Sequence, residues 1–442
     1  MFTPPAANEQ GQADEFLISR RYAWFVFAMT FALMLFDYID RQLIVSMFPH
    51  LKAEWDLSDK QLGALVSVVS ITVALGTIPI SFVADRWSRV KSICVMATVW
   101  SLATISCAFT RNFGQLFAAR AMIGLGEAGY GAAGAALLAS NFPQRLRSTV
   151  LGGFLAAASL GSVLGVVLGG FIAQHWGWKA AFGAVGFPGL LMALLFLVVR
   201  DYKTVELAKP TTRDNKRAQV RVILSALLQP RTAIYACLGS AMQLFVVGAL
   251  YTWLPSYLNR YYGLATTQAG LKAAIVILLG AMGAVVWGAL ADRAGRKQPR
   301  RKLHLLTGLC LLTLALLATA FGALAPGGLQ FALICVGGFV MTCTIGAVAA
   351  VVIDVMHPGL RATAASMVAL IQNLLGLAAG PFVAGILSDL LGLQQALAVI
   401  PFIGLLAAGL FIVAARSYEA DLASVTGIRL GVDDAAPVPA IA

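Results

Sequence analysis

Twelve apolar stretches, each about 20 residues or longer and separated by short polar loops, constrain this chain more than any other feature of it. A helix needs about 20 apolar residues to cross about 30 Å of hydrocarbon. On that rule the 442 residues predict helices over 20–48, 58–84, 90–109, 112–141, 146–174 and 178–200, then over 231–261, 266–291, 303–323, 328–356, 360–389 and 393–415. Hydrophobic residues make up 59% of the chain and charged residues 12%, where an ordinary soluble domain carries about 25% charged residues. So little polar surface cannot cover a soluble protein, and lipid has to solvate most of it. The fold class is an all-α membrane protein.

The net charge of +12 does not point to nucleic acid, because the basic residues sit in loops between apolar runs. Of the 32 Lys and Arg, 24 lie in the terminal segments and the loops after helices 2, 4, 6, 8 and 10. Six lie in the opposite loops: Lys52, Lys60, Arg111, Lys179, Arg260 and Lys272. Basic loops are retained in the cytoplasm, so both termini are expected there, with the chain crossing the cell (inner) membrane many times. This divides the chain into a cytoplasmic segment 1–19, a bundle 20–200, a basic linker 201–230, a bundle 231–416 and a mobile tail 417–442. The linker reads equally as a short interfacial helix on an anionic leaflet or as a solvated connection. The six cysteines (94, 107, 237, 310, 335 and 343) have no CxxC spacing. They read as reduced packing residues, not as a metal site or a disulfide framework.

The halves echo each other. Asp85-Arg86-Trp87-Ser88-Arg89 follows helix 2, and Asp292-Arg293-Ala294-Gly295-Arg296 follows helix 8. Gly152, Gly161, Gly165 and Gly169 form a stripe on helix 5, and helix 11 carries Gly376, Gly380 and Pro381. Pro143 and Arg147 precede helix 5 as Pro358 and Arg361 precede helix 11. The chain reads as a duplicated six-helix unit. Gly288 to Lys297 resembles the loop signature of the major facilitator superfamily. The helix 5 glycines are similar to its antiporter motif, with Val166 where that motif has Pro. Tyr38-Ile39-Asp40-Arg41, Gly124-Leu125-Gly126-Glu127-Ala128-Gly129-Tyr130 and Arg145-Leu146-Arg147-Ser148 resemble the spinster family of lipid transporters. The resemblance implies two pseudo-symmetric six-helix bundles, alternating access, a monomer, and a central cavity lined by helices 1, 4, 7 and 10.

Ionisable residues inside a membrane helix cost roughly 2.5–3.5 kcal/mol on insertion scales and are usually functional. Five read as mid-helix: Asp37, Asp40, Arg41, Arg120 and Glu127, all on helices 1 and 4. Arg120 and Glu127 are seven apart and share a face, and Asp37 and Arg41 are four apart and share one too. The five are expected to converge near the midplane. Arg41 or Arg120 would hold an anionic group while Asp40, Glu127 or Asp37 takes up a proton. The competing structural reading is a buried network that joins helix 1 to helix 4, but buried ion pairs stabilise poorly compared with apolar packing. Gln243, Phe245, Tyr251 and Trp253 on helix 7 would form an apolar, aromatic wall suited to the tail of an amphipathic substrate, and Tyr130 of the spinster-like motif is a further candidate substrate contact. The bland reading places these side chains against lipid or neighbouring helices. Asp85, Arg86, Arg89, Asp292, Arg293 and Arg296, with Arg147 and Arg361, are expected to latch the cytoplasmic gate.

The reading is a proton-coupled carrier of an amphipathic anion or zwitterion, a lysophospholipid or sphingolipid-like molecule by the spinster resemblance. Membrane lipids are its other partners, and no cofactor is implied. The alternatives are a multidrug or small organic-anion transporter and a receptor that no longer transports. An enzyme is disfavoured, because no nucleophile–base pair or metal-ligand set appears.

Overall fold

The computed structural model describes residues 19–200, 227–296, 298–356 and 360–424, without the side chains of 78, 81–86, 144, 148 and 362. Among these residues there are twelve helices long and apolar enough to cross a membrane. They are α1 (Arg20–Trp55), α2 (Asp59–Thr77), α3 (Arg89–Cys107), α4 (Phe113–Asn141), α5 (Arg145–Trp176) and α6 (Trp178–Val198). The second set is α7 (Arg231–Tyr262), α8 (Thr266–Gly295), α9 (Arg301–Ala323), α10 (Gly328–Asp354), α11 (Thr363–Leu391) and α12 (Leu393–Ser424). The starts follow local chemistry. Ser19, Ser88 and Asn112 each accept a backbone N–H at the first turn of α1, α3 and α4, satisfying donors a helix leaves orphaned. Large apolar side chains such as Phe109, Val285 and Leu390 lie more than 70% exposed, as a lipid-facing shell requires.

Helices in lipid associate by close packing, not by hydrophobic transfer, and here glycine permits it. A β-carbon at Gly161, Gly165 or Gly169 of α5 would come within 3.0 Å of the carbonyl oxygens of Leu35, Ile39 and Leu43 on α1. Gly380 of α11 would do the same to Phe245 O on α7, and Gly376 would meet Ala241 O at 3.0 Å. Gly161 and Gly165 lie one turn apart and meet carbonyls one turn apart on the first helix of their half. Gly376 and Gly380 repeat that spacing against the first helix of the second half, so the two contacts are one contact made twice. The duplication read from the loops is present in the packing of the halves.

Several helices differ from the continuous spans expected. The α4 region is two helices, Phe113–Glu127 and Tyr130–Asn141, with Ala128 extended and Gly129 at φ +91° between them. The α10 region breaks at the matching place, between Gly328–Met341 and Thr344–Asp354. The α4 break turns on one αL residue, Gly129, and the α10 break has none; the apolar pattern runs on through both, which is why the sequence hides them. The α12 helix continues to Ser424, past the expected end at 415. Tyr418 donates to Asp354 Oδ2 at 2.9 Å, and Asp421 Oδ2 accepts from the Thr232 N–H at 2.8 Å. Residues 417–424 of the expected mobile tail are therefore helical and tethered. Segments 1–18, 201–226 and 425–442 lie outside the described residues.

Candidate functional site

Two ionic neighbourhoods surround α1. In the first, Arg41 Nε lies 2.9 Å from Asp37 Oδ1, one turn away, and 2.9 Å from Glu127 Oε2 on α4. The Asp37 contact is a hydrogen bond. The Glu127 contact lies off the N–H direction, so neither Glu127 oxygen receives a hydrogen bond. The Tyr38 ring sits 5.2 Å from the guanidinium carbon. Glu127 is fully enclosed and Asp37 nearly so, whereas the Arg41 side chain is 18% exposed. Of these three charged groups Arg41 is the least enclosed.

In the second neighbourhood, Thr104 of α3 donates to Asp40 Oδ2 at 2.6 Å. The Arg120 guanidinium lies 4.0 Å from Asp40 Oδ1 and donates to the carbonyls of Asp40 and Leu65, each at 3.3 Å. Both residues are buried. Asp40 Oδ1 has no hydrogen-bond partner among the described residues, and Asp40 sits in a narrow crevice with Phe36, Trp100, Ser101, Thr104, Val185 and Gly186. Five charges were expected on one site, and the structure divides them into two adjacent sets. Successive helical residues differ by about 100°, so Asp40 turns toward α3 while Arg41 turns toward Glu127.

Glu127 is the last residue of the first α4 segment, immediately before the break at Ala128 and Gly129. Discontinuous helices at the bilayer midplane are a recurring way to build transporter sites. A β-carbon at residue 129 would be strained at φ +91°, which accounts for glycine there.

The Major Facilitator Superfamily profile matches residues 30–381. The chain belongs to that superfamily. Its relatives include protein spinster homolog 1 of Xenopus laevis, 26% identical across 91% of this chain and 82% of the relative. The sphingosine-1-phosphate transporter SPNS2 of Danio rerio is 25% identical across 87% of this chain and 82% of its own length. Among solved structures, a bacterial homolog to the human lysosomal transporter spinster, in an inward-facing and unoccupied conformation, superposes with a TM-score of 0.81. It is 21% identical, and the match covers 91% of this chain and 99% of that one. The superfamily fold is thereby shown.

Within this superfamily member, the other expected site residues are spread more widely than the sequence suggested. Tyr130 is buried and donates to Thr30 O at 2.6 Å, between Trp100 and Phe154. Gln243 is buried and donates to Thr313 Oγ1 and Met341 O. Trp253 is buried, donates to Pro381 O at 3.0 Å and packs on Phe48. Phe245 is buried beneath Gly380. Tyr251 alone among these is partly exposed, with its hydroxyl against Gly280. These aromatic and amide groups are committed to packing between helices.

The gate candidates show a similar division. The side chains of Asp85 and Arg86 lie outside the described residues. Arg89 is half-buried at the start of α3, and Arg147 donates to Phe142 O at 3.1 Å. Arg293, Arg296 and Arg361 are exposed. Asp292 pairs with Lys302 at 3.4 Å, and Lys302 also reaches Asp354 at 3.5 Å, all within the second half. Hydrogen bonds that join the halves cluster at the end opposite the termini. There Arg260 holds Asp59 through two bonds of 2.6 and 2.7 Å. In the sequence Arg260 reads only as a loop charge. No sequence signal marks the pair: Asp59, at the first residue of α2, is buried only by the fold.

Proposed function

We propose that this chain is a proton-linked, alternating-access carrier of an amphipathic anion or zwitterion of the lysophospholipid or sphingolipid type. The observation that carries the reading is Arg41, partly exposed and held between two enclosed carboxylates at 2.9 Å each. An anionic headgroup that engages Arg41 competes directly with Glu127. Glu127 receives no hydrogen bond among the described residues, so once Arg41 turns away a proton removes the cost of leaving its charge buried. Substrate and proton binding are then linked, and linkage is reciprocal. Asp37 keeps Arg41 oriented through the exchange. Asp40 and Arg120 form a second, more enclosed acid–base set that relays or stores charge. The structure thus favours Arg41 over Arg120, which is 1% exposed, as the residue that meets substrate.

The lipid assignment rests on the likeness to the spinster homolog and to a sphingosine-1-phosphate transporter. Loop charge supports a cell-membrane location with cytoplasmic termini. Transport, not chemistry, is the activity. The test is uptake of a labelled lysophospholipid into liposomes under an imposed pH gradient, with competitors of varied tail length. Competition that strengthens with tail length, and accumulation that follows the gradient, are expected. Equal competition by the tailless headgroup overturns the lipid assignment. Accumulation indifferent to the gradient overturns proton linkage.

A further inference from the structure

The end opposite the termini is closed by two seams, α2 with α11 and α5 with α8. They are built to the same plan. A β-carbon at Gly63 of α2 would come within 3.0 Å of Pro381 O, and one at Gly270 of α8, the helix that matches α2, within 3.0 Å of Val166 O. Gly385 of α11 meets Asp59 O, as Gly170 of α5, the helix that matches α11, meets Thr266 O. Each seam also caps a helix across the halves. Asp389, one turn beyond Gly385, accepts the N–H groups of Asp59 and Lys60 at 2.8 Å, at the start of α2. Gln174, one turn beyond Gly170, accepts through Oε1 the Thr267 N–H at 3.2 Å and its hydroxyl at 2.7 Å, at the start of α8.

The seams differ in charge. Where the second has Thr266, donating to Gly170 O at 3.2 Å, the first has Asp59. Its carboxylate receives Arg260 and Ser388 from the other half, the latter at 2.5 Å, and Lys52 from its own half at 2.7 Å. Charge-assisted bonds are roughly twice as strong as neutral ones, so the two seams do not resist opening equally. Separation of the halves takes Arg260, Ser388 and Asp389 away from α2. Lys52 travels with Asp59.

We propose that Asp59 is the switch of this gate, alternating between two counter-ions. Arg260 holds it in the closed state, and Lys52 alone balances it in the open state. The two cations therefore act in opposite directions: Arg260 stabilises closure, and Lys52 lowers the cost of opening. The neutral α5/α8 seam contributes contact without this control. Nothing in the inference uses the substrate or the proton site, so it stands or falls apart from them.

The experiment places spin labels at residues 111 and 395, exposed positions on opposite halves at this end, in a cysteine-free chain reconstituted in liposomes. Interlabel distances give the ratio of open to closed molecules. Arg260→Gln is expected to raise that ratio at least about ten-fold, because it leaves a buried acid with one partner fewer. Arg260→Lys should restore part of the closure. Lys52→Gln should lower the ratio, and Gln174→Ala should raise it by no more than about three-fold. If Arg260→Gln fails to fold, Ser388→Ala is read in its place, with a smaller rise in the same direction. A rise with Lys52→Gln as large as that with Arg260→Gln reduces the cluster to simple glue and overturns the proposal. So does an unchanged ratio in a folded Arg260 or Ser388 variant.

Discussion

The same layer of the two halves holds opposite chemistry on one backbone. On α1 it contains Asp37, Asp40 and Arg41. The register fixed by the glycine contacts places Gln243, Val246 and Val247 at the matching positions of α7. Helices α4 and α10 break in step, so Glu127 matches Met341 and Arg120 matches Ile334. The register of that pair is fixed again by Gly124 against α2 at Val69 and Gly338 against α8 at Val276. Val246, Val247, Ile334 and Met341 are all buried and apolar. In the first half, Arg41 joins α1 to α4 through a carboxylate. In the second, Gln243 joins α7 to α10 by donating to the Met341 carbonyl at 3.1 Å. Duplication supplied the broken helices twice, and ionisable groups occupy only one copy. The comparison teaches that the break is scaffold common to both halves and that charge is what differs; in the proposed function, that charge is the site.

The largest effect should come from Arg41→Ala. It leaves two enclosed carboxylates without their cation, and breaking a buried pair costs about 3–5 kcal/mol. Thermal unfolding in detergent should show the loss, and gradient-driven uptake should vanish. Val247→Ala, the matched change, should cost about 1–2 kcal/mol and leave uptake in place. Equal loss of uptake in both variants would break the comparison.

Next is Glu127→Gln. The amide cannot titrate, so the pH dependence of transport should flatten. Wild-type substrate uptake should respond as the pH on the open side passes through the titration of this carboxyl group. The gradient-driven component in the variant should fall to the level seen without a gradient. Initial rates across a pH series in liposomes measure it, and a variant profile that follows the wild type would remove Glu127 from the coupling.

Gln243→Leu sharpens the contrast from the other side. The Met341 carbonyl loses a buried donor, costing about 1–3 kcal/mol, while the pH response should persist. A flattened pH profile in this variant would mean that the second half shares the chemistry. The smallest effect is expected for Arg361→Ala, an exposed side chain, which should change stability by no more than about 0.5 kcal/mol. A larger change in the unfolding midpoint would show that the motif arginine is engaged in this conformation.

Much of this molecule is legible in its sequence. Twelve spans follow from the length of apolar runs, because the hydrocarbon sets a fixed distance for a helix to cover. The duplication was visible in repeated loop motifs and glycine stripes. The ionisable residues of the site stood out because charge inside an apolar run is costly wherever the helix packs. The partners of those residues were not legible. Tyr130 and Trp253 looked like ligand contacts, yet both spend their polar hydrogen on a carbonyl of a neighbouring helix. Arg260 reads as a loop charge and Asp59 carries no signal in the sequence, since their positions are far apart in the chain and only the fold brings them together.

What the sequence determined by itself is whatever depends on composition along one helix: the membrane as solvent, the number of crossings, and the candidate charges. Tertiary structure alone decided which charge meets which. It set Arg41 against Glu127 and Arg120 against Asp40, and it enclosed Asp59 between the halves. The physical reason is that pairing depends on helix rotation and crossing, where one residue turns a side chain by about 100°. Those angles are set by glycine contacts between helices far apart in the chain.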